Sequence, residues 1–422
     1  MKSHYDVAII GGGMVGASLA VSLLPAVKKY GLKLAVFEAF ALPESNSAEL
    51  QPSYDARSTA LSYGTRKLLE QMGVWQALSP QVSAIEQIKV SDRGHFGAAR
   101  LQASKYKVPA LGYVVENRWL GHVLLERLSA DPSVELICPA EVTHAEPKAE
   151  GMSLQIDVNG EQQKISADLV VMADGGRSAL RERLGIDYSH QEYGQYAVIA
   201  NVTPDRPHQG VAYERFTASG PMALLPLTDD GDGQSRCALI WSVPEEQIDT
   251  VLGWNDQQFI DHLQQQFGYR AGAFTQVGER HSYPLKLSRV KEQVRQGVVV
   301  LGNAAHTLHP IAGQGFNLAL RGTLALAESL VQALARGEKL GAIGTLKEFE
   351  QRLSWDQHKT IGFSDQVMRL FSNDSTESVV ARNLGLLALD LLPVAKGLFA
   401  RSAMGLDVPQ PQFTLGTDHG KS

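Results

Sequence analysis

A chain of 422 residues exceeds what one small core needs and points to two coupled domains. Apolar residues at 44% and charged residues at 20% describe an ordinary globular protein, and a net charge of -6 argues against a nucleic-acid footprint. Its two cysteines, Cys138 and Cys237, stand far apart and outside any CxxC pattern, which excludes a zinc ribbon or disulfide scaffold and fits a reducing cytosol. The apolar stretch near the N-terminus is too short for a signal-peptide core, and no uninterrupted apolar run of about 18 residues occurs. A soluble or peripheral protein is expected.

From the N-terminus, Val7-Ala8-Ile9-Ile10 reads as a buried parallel strand. A glycine turn follows, then helical periodicity from Met14 to Val27 and a second strand at Leu34-Ala35-Val36-Phe37. This is a right-handed βαβ unit. Residues 85–115 and 190–245 carry alternating, β-branched stretches broken by Gly, Pro and Asp, and read as antiparallel strands with hairpin loops. Leu169-Val170-Val171-Met172-Ala173 and Gly297-Val298-Val299-Val300-Leu301 are two further buried strands, ending in Asp174-Gly175-Gly176 and Gly302-Asn303. Helical periodicity resumes from Phe316 to Ala335.

Gly11, Gly13 and Gly16 form G-x-G-x-x-G, enclosing Met14 and Val15, after a strand and at a helix start. The first glycine allows the tight turn, the second the approach of a pyrophosphate, and the third close helix–strand packing beside the positive helix end. Glu38 closes the second strand, where an acidic side chain can accept both ribose hydroxyls. Ala39-Phe40-Ala41 offer no Arg for a 2′-phosphate, so the cradle suits the ADP half of FAD or NAD. The later strand ends, Asp174-Gly175 and Gly302-Asn303, suit a long cofactor lying along the sheet edge and favour FAD. After them, Gly313-Gln314-Gly315-Phe316-Asn317 opens a helix whose free amides would stabilise a reduced flavin.

Together these motifs resemble the group A FAD-dependent aromatic hydroxylases, the para-hydroxybenzoate hydroxylase-like superfamily, over most of residues 5–335. GGGMVG at 11–16 with Glu38 is similar to the first fingerprint, and Asp174-Gly175 with Arg177-Ser178 to the DG motif. GNAAHTLHPIAGQGFNLAL at 302–320 is similar to the second FAD signature. Asp55-Ala56-Arg57-Ser58-Thr59-Ala60-Leu61, Ser91-Asp92-Arg93-Gly94-His95-Phe96-Gly97 and Tyr113-Val114-Val115-Glu116-Asn117 resemble the ubiquinone-biosynthesis branch, nearest to the 2-polyprenyl-6-methoxyphenol hydroxylases. Three positions depart from the pattern: Asn303 replaces the common Asp, Asn117 a frequent Arg, and Gly322 follows Arg321 where many relatives carry Asp.

The resemblance implies an α/β fold, with a Rossmann-like FAD-binding domain of the glutathione reductase type interleaved with a β-rich substrate domain. The first comprises 1–80, 110–185 and 285–335 and the second 81–109 and 186–284; a helical region at 336–407 and a flexible tail at 408–422 follow. It implies a monooxygenase in which NAD(P)H reduces FAD and leaves, O2 adds at flavin C4a, and oxygen passes to the ring of a membrane-borne polyprenylphenol. Arg57, Pro310 and Gly315 are assigned to the reaction, Arg57 as a phosphate or nicotinamide-side contact. The cofactor contacts are Gly11, Gly13, Met14, Val15, Gly16, Glu38, Arg57, Asn117, Asp174, Gly175, Gly302, Asn303, Gly313, Gln314, Gly315, Phe316 and Asn317. His306 and His309 lack a carboxylate or Cys companion and are read as packing groups, so no metal is expected. Phenol activation is left to a His or Tyr of the β-rich domain, such as Tyr213 or His281.

Residues 377–405 are apolar but broken by Asp390 and Pro393, and read as a lipid-facing or partner surface at 378–405 or as a core helix. The expected location is cytoplasmic, peripheral on the inner face of a membrane. Self-association stays open, as do a hydroxylase of another ring position or substrate and an FAD-binding carrier or assembly subunit with little catalysis.

Overall fold

The computed structural model describes residues 1–41, 57–93, 98–176, 179–217, 219–229, 233–308, 313–371 and 391–413. Its first sheet is built around the strand His4–Ile10, flanked by Leu34–Phe37 on one side and Glu161–Met172 on the other, all parallel. Val298–Val300 extends the sheet beyond Glu161–Met172, and Val134–Ile137 extends it beyond Leu34–Phe37. The central strand is apolar on both faces because both are covered. Val7 and Ile9 join a core with the helices Met14–Tyr30 and Gln314–Arg336; Tyr5, Ala8 and Ile10 pack under Met152, Leu154, Ile156 and Ile165 of an antiparallel ribbon.

Register makes the site. Ile10 lies level with Phe37 and with Met172, and Met172 with Val300. Four strands therefore stop along one line, and Gly11, Glu38, Ala173-Asp174 and Leu301-Gly302 emerge together at their carboxyl ends.

The second sheet has nine strands and centres on the long strand Tyr188–Pro204, paired with Cys237–Pro244 and His281–Val290. Period-2 alternation splits its side chains. Val198, Met222, Leu224, Leu239 and Trp241 pack on Phe259, Leu263 and Phe267 of the helix Asp256–Phe267. Ala197, Ile199, Ala223, Leu225, Ala238 and Ile240 face the other way, into a cavity. The expectation of purely antiparallel strands fails at one place: Val211–Thr217 runs parallel to Gln87–Asp92, because the chain reaches it from a distant part of the fold.

The proposed domain limits shift with the pairing. Val82–Ile85 joins Ser58–Ser62 and Gly112–Glu116 in a small separate sheet, and residues 285–290 belong to a strand of the nine-stranded sheet. The flexible tail expected from 408 is corrected over 408–413. Val408 and Phe413 are buried, the Gln412 amide donates to Glu328 at 3.1 Å, and of this tail 414–422 lie outside the described residues. The apolar helix Gln314–Arg336 is the one described helix long and apolar enough to cross a membrane, yet 72% of its most apolar window is buried within the fold. It is read here as a core helix.

Candidate active site

The glycine turn after the first strand is shaped by backbone that no other residue tolerates. Gly11 has φ 98°, and a Cβ there would stand 2.6 Å from the Ala173 carbonyl oxygen. A Cβ on Gly16 would lie 1.9 Å from the carbonyl oxygen of Gly11, so the helix can approach the strand only without one. Gly13 caps the helix Met14–Tyr30 with no side-chain partner, leaving its first amides to a ligand. Buried Glu38 leans over this turn, accepting the Gly12 amide at 2.6 Å and the Phe40 amide at 3.0 Å.

The second half of the cradle follows the same logic. Gly302 adopts φ 61°, and a Cβ on it would strike Val15 at 2.8 Å. Gly313, at φ 59°, begins the helix Gln314–Arg336 without a side-chain cap, and a Cβ there would reach 2.7 Å from that of Ala60. Around Gly175 and Gly315 there is open space. Asn317 turns out to be a pin for the loop: its Oδ1 accepts the Ser62 amide at 2.8 Å, and its Nδ2 donates to the Ala60 and Gly313 carbonyls at 2.8 and 2.7 Å. Its side chain thus holds Gly313 against the strand Ser58–Ser62. Buried Asn117 accepts from Thr59 Oγ1 at 2.7 Å.

These elements enclose one cavity of about 990 Å³. Gly11, Gly13, Met14, Val15 and Glu38 line one end, and Arg57, Asn117, Asp174, Gly175, Asn303, Gly313, Gln314, Gly315, Phe316 and Asn317 also face it. Gly16 and Gly302 shape the walls without lining them. The Arg57 guanidinium lies over the Tyr283 ring, 4.9 Å from its centroid. Pro310, with His309, Ile311 and Ala312, lies outside the described residues, as do Asp55, Ala56, Arg177, Ser178 and residues 94–97.

The remaining walls are largely apolar, and many of their residues come from the nine-stranded sheet, with Phe363, Phe399 and Ala403 contributed by the C-terminal helices. Among the residues that this sheet contributes, one carboxyl interrupts the apolar wall, that of Glu214, which sequence reasoning missed. Burial alone pushes it up to about 8. Of the two residues considered for phenol activation, Tyr213 packs its ring on Phe267 and donates its hydroxyl to the Arg270 carbonyl at 3.0 Å, while His281 lies outside the cavity wall beside Glu279. His306 is buried with Nε2 unpartnered, and burial, aided by the Arg289 charge, pushes its pKa down to about 4. Among the described residues, His4, Asp6 and Asp168 come within metal-ligating distance of one another, but at the far end of the first strand.

Four glycines whose missing Cβ atoms make the cradle, Gly11, Gly16, Gly302 and Gly313, an acidic residue at the second strand end and capless helix starts fit an extended dinucleotide ending in a flavin. They define an FAD-dependent oxidoreductase. The family described as FAD binding domain matches residues 4–342. The chain is 35% identical over 405 residues to the ubiquinone hydroxylase UbiL of Rhodospirillum rubrum, covering 95% of this chain and 89% of that protein. It is 32% identical to the 3-demethoxyubiquinol 3-hydroxylase of Escherichia coli, over 95% of this chain and 98% of the relative. A crystal structure of p-nitrophenol 4-monooxygenase PnpA from Pseudomonas putida shares the fold with a TM-score of 0.77 at 16% identity, covering 97% of this chain and 100% of that one. The chain belongs to the FAD-binding domain family, in the ubiquinone branch of the FAD-dependent aromatic hydroxylases. Its cofactor is FAD, and NAD(P)H and O2 are the cosubstrates typical of the class.

Proposed function

We propose that this protein hydroxylates the aromatic ring of a polyprenylphenol in ubiquinone biosynthesis, converting a 2-polyprenyl-6-methoxyphenol to the 1,4-benzoquinol. The observation that carries the reading is continuity: the nucleotide cradle and the apolar lobe under the nine-stranded sheet are one cavity. FAD, when bound, supplies the oxygen-activating chemistry. The chain's own residues bind and shield. Gly11, Gly13, Met14, Val15, Gly16 and Glu38 hold the ADP half, and Asn117, Asp174, Gly175 and Asn303 the linking chain. Gly302 and Asn317 keep the loops in place. The amides at Gly313–Phe316 would receive the flavin, Gly315 with open space around it, and Arg57 would bind a phosphate or the transient nicotinamide; the part assigned to Pro310 falls on a residue outside the described ones. Apolar walls exclude water from the reacting ring.

A membrane-borne substrate needs a route in, and the C-terminal helix supports one. Pro393–Ala403 turns Phe399 and Ala403 toward the cavity, while Leu391, Leu392, Val394 and Leu398 are exposed. Lys396 and Arg401 flank this stripe, as on helices that lie in a lipid interface. This stripe supports a peripheral protein that docks from the cytoplasm on the inner face of the membrane; residues 378–390, part of the suspected surface, lie outside the described ones.

The test is NAD(P)H consumption by the FAD-loaded protein with and without a 2-prenylated phenol. Stimulation of about 10-fold or more, matched by a hydroxylated product, is expected of an aromatic hydroxylase. Equal rates with and without the phenol would assign the chain to an FAD-binding carrier or assembly role instead.

A further inference from the structure

Resting on the reading above, we infer that Glu214 is the residue that recognises the ring hydroxyl of the phenol. Strand alternation puts Ala212, Glu214 and Phe216 of Val211–Thr217 on the cavity side of the nine-stranded sheet. Register sets Glu214 between Val90 on one neighbouring strand and Ala223 on the other, both of which also line the cavity. Its partners on the neighbouring strands are therefore apolar, and Glu214 lines the cavity.

The carboxyl forms no hydrogen bond or ion pair with any described residue, and no neighbouring charge shifts it. The other ionisable residues that line the same cavity, Arg57, Asp174, Glu38, Glu141, Tyr213 and Tyr283, leave it untouched. With burial holding its proton to about pH 8, it faces the cavity at neutral pH as a neutral acid. A neutral carboxyl offers one O–H donor and a free carbonyl acceptor, the complement of a phenolic hydroxyl. An apolar residue would serve the fold better at this position, because an unpaired buried carboxyl destabilises it. Its presence fits a partner that arrives with the substrate, and a site built to bond a hydroxyl rejects an analogue that lacks the donor.

The experiment uses FAD-loaded protein and two probes, 2-geranylphenol and its methyl ether, each titrated against the flavin absorbance spectrum. The wild type is expected to bind the phenol about 10-fold or more tightly than the ether. Glu214→Gln, which keeps a neutral donor and acceptor, retains the preference. Glu214→Leu reduces it to within about 2-fold, chiefly by weakening the phenol, and raises the melting temperature at pH 7.5 by removing an unpaired buried acid. Glu214→Met repeats the comparison if the Leu variant fails to retain FAD. A Leu or Met variant that keeps the wild-type preference overturns the assignment of Glu214 and leaves the hydroxylase reading intact. If neither probe perturbs the wild-type flavin, the hydroxylase reading and the assignment fall together.

Discussion

A single Cα without a Cβ decides whether the cofactor end of the cavity exists. At Gly16 a methyl would be driven to 1.9 Å from the Gly11 carbonyl oxygen, and only backbone movement could relieve it. Gly16→Ala should therefore purify with less than about one tenth of the wild-type flavin while still melting cooperatively, since overpacking at one site costs about 1–3 kcal/mol. Full flavin content in that variant would contradict the cradle. His306 makes a second prediction at this scale. Its pKa is pushed down to about 4, so the unfolded chain takes up the proton first. Stability is thus complete above the ordinary histidine pKa of about 6.5 and declines as pH falls toward about 4, by on the order of 3 kcal/mol. Melting curves between pH 7 and 4 should show His306→Phe losing less stability than the wild type; parallel curves would refute this. Residues such as Gly11, Glu38 and Asp174 were legible in the sequence because each terminates an apolar strand, and register then aligns them. Glu214 was not, because alternation tells which residues share a face and not which face meets a cavity. Tyr213, one position away, drew attention for its chemistry and points to the opposite core.

Among elements, the long helices are tied by charge as well as by packing. Arg321 of Gln314–Arg336 makes two bonds to Asp356 of Ile343–Phe371, at 2.7 and 3.0 Å, with both residues buried. Breaking such a pair strands the remaining charge and costs about 3–5 kcal/mol, whereas replacing both members by apolar residues is often neutral. Arg321→Met should accordingly lower the denaturation midpoint sharply, and adding Asp356→Leu should recover most of the loss. Two variants of equal stability would show that the pair bears no such coupling. Sequence marked Arg321 only by the unusual Gly322 beside it; a partner on another helix leaves no local pattern. The same holds for Phe413, read as part of a polar tail, which joins the core formed by the helices Met14–Tyr30, Gln314–Arg336 and Ile343–Phe371. Helix periodicity in Gln314–Arg336, by contrast, was plain, because its buried leucines repeat at helical spacing.

At the scale of the whole molecule, two sheets divide the labour. The parallel strands of the first sheet end on one line and present the glycine turns, and the nine-stranded sheet supplies a broad apolar wall with one acid in it. The C-terminal helix closes the wall from outside while exposing Val394 and Leu398. Replacing both by Glu should abolish flotation with anionic liposomes and leave flavin content unchanged; undiminished flotation would detach this helix from the membrane role. The central claim is that flavin and phenol share one cavity, so that oxygen reaches the ring there. The most direct measurement is mass spectrometry of the product from 2-geranylphenol, NAD(P)H and ¹⁸O2 with the FAD-loaded protein. One ¹⁸O atom on the ring per turnover is the predicted result. NAD(P)H oxidised with no ¹⁸O in the aromatic product would contradict it.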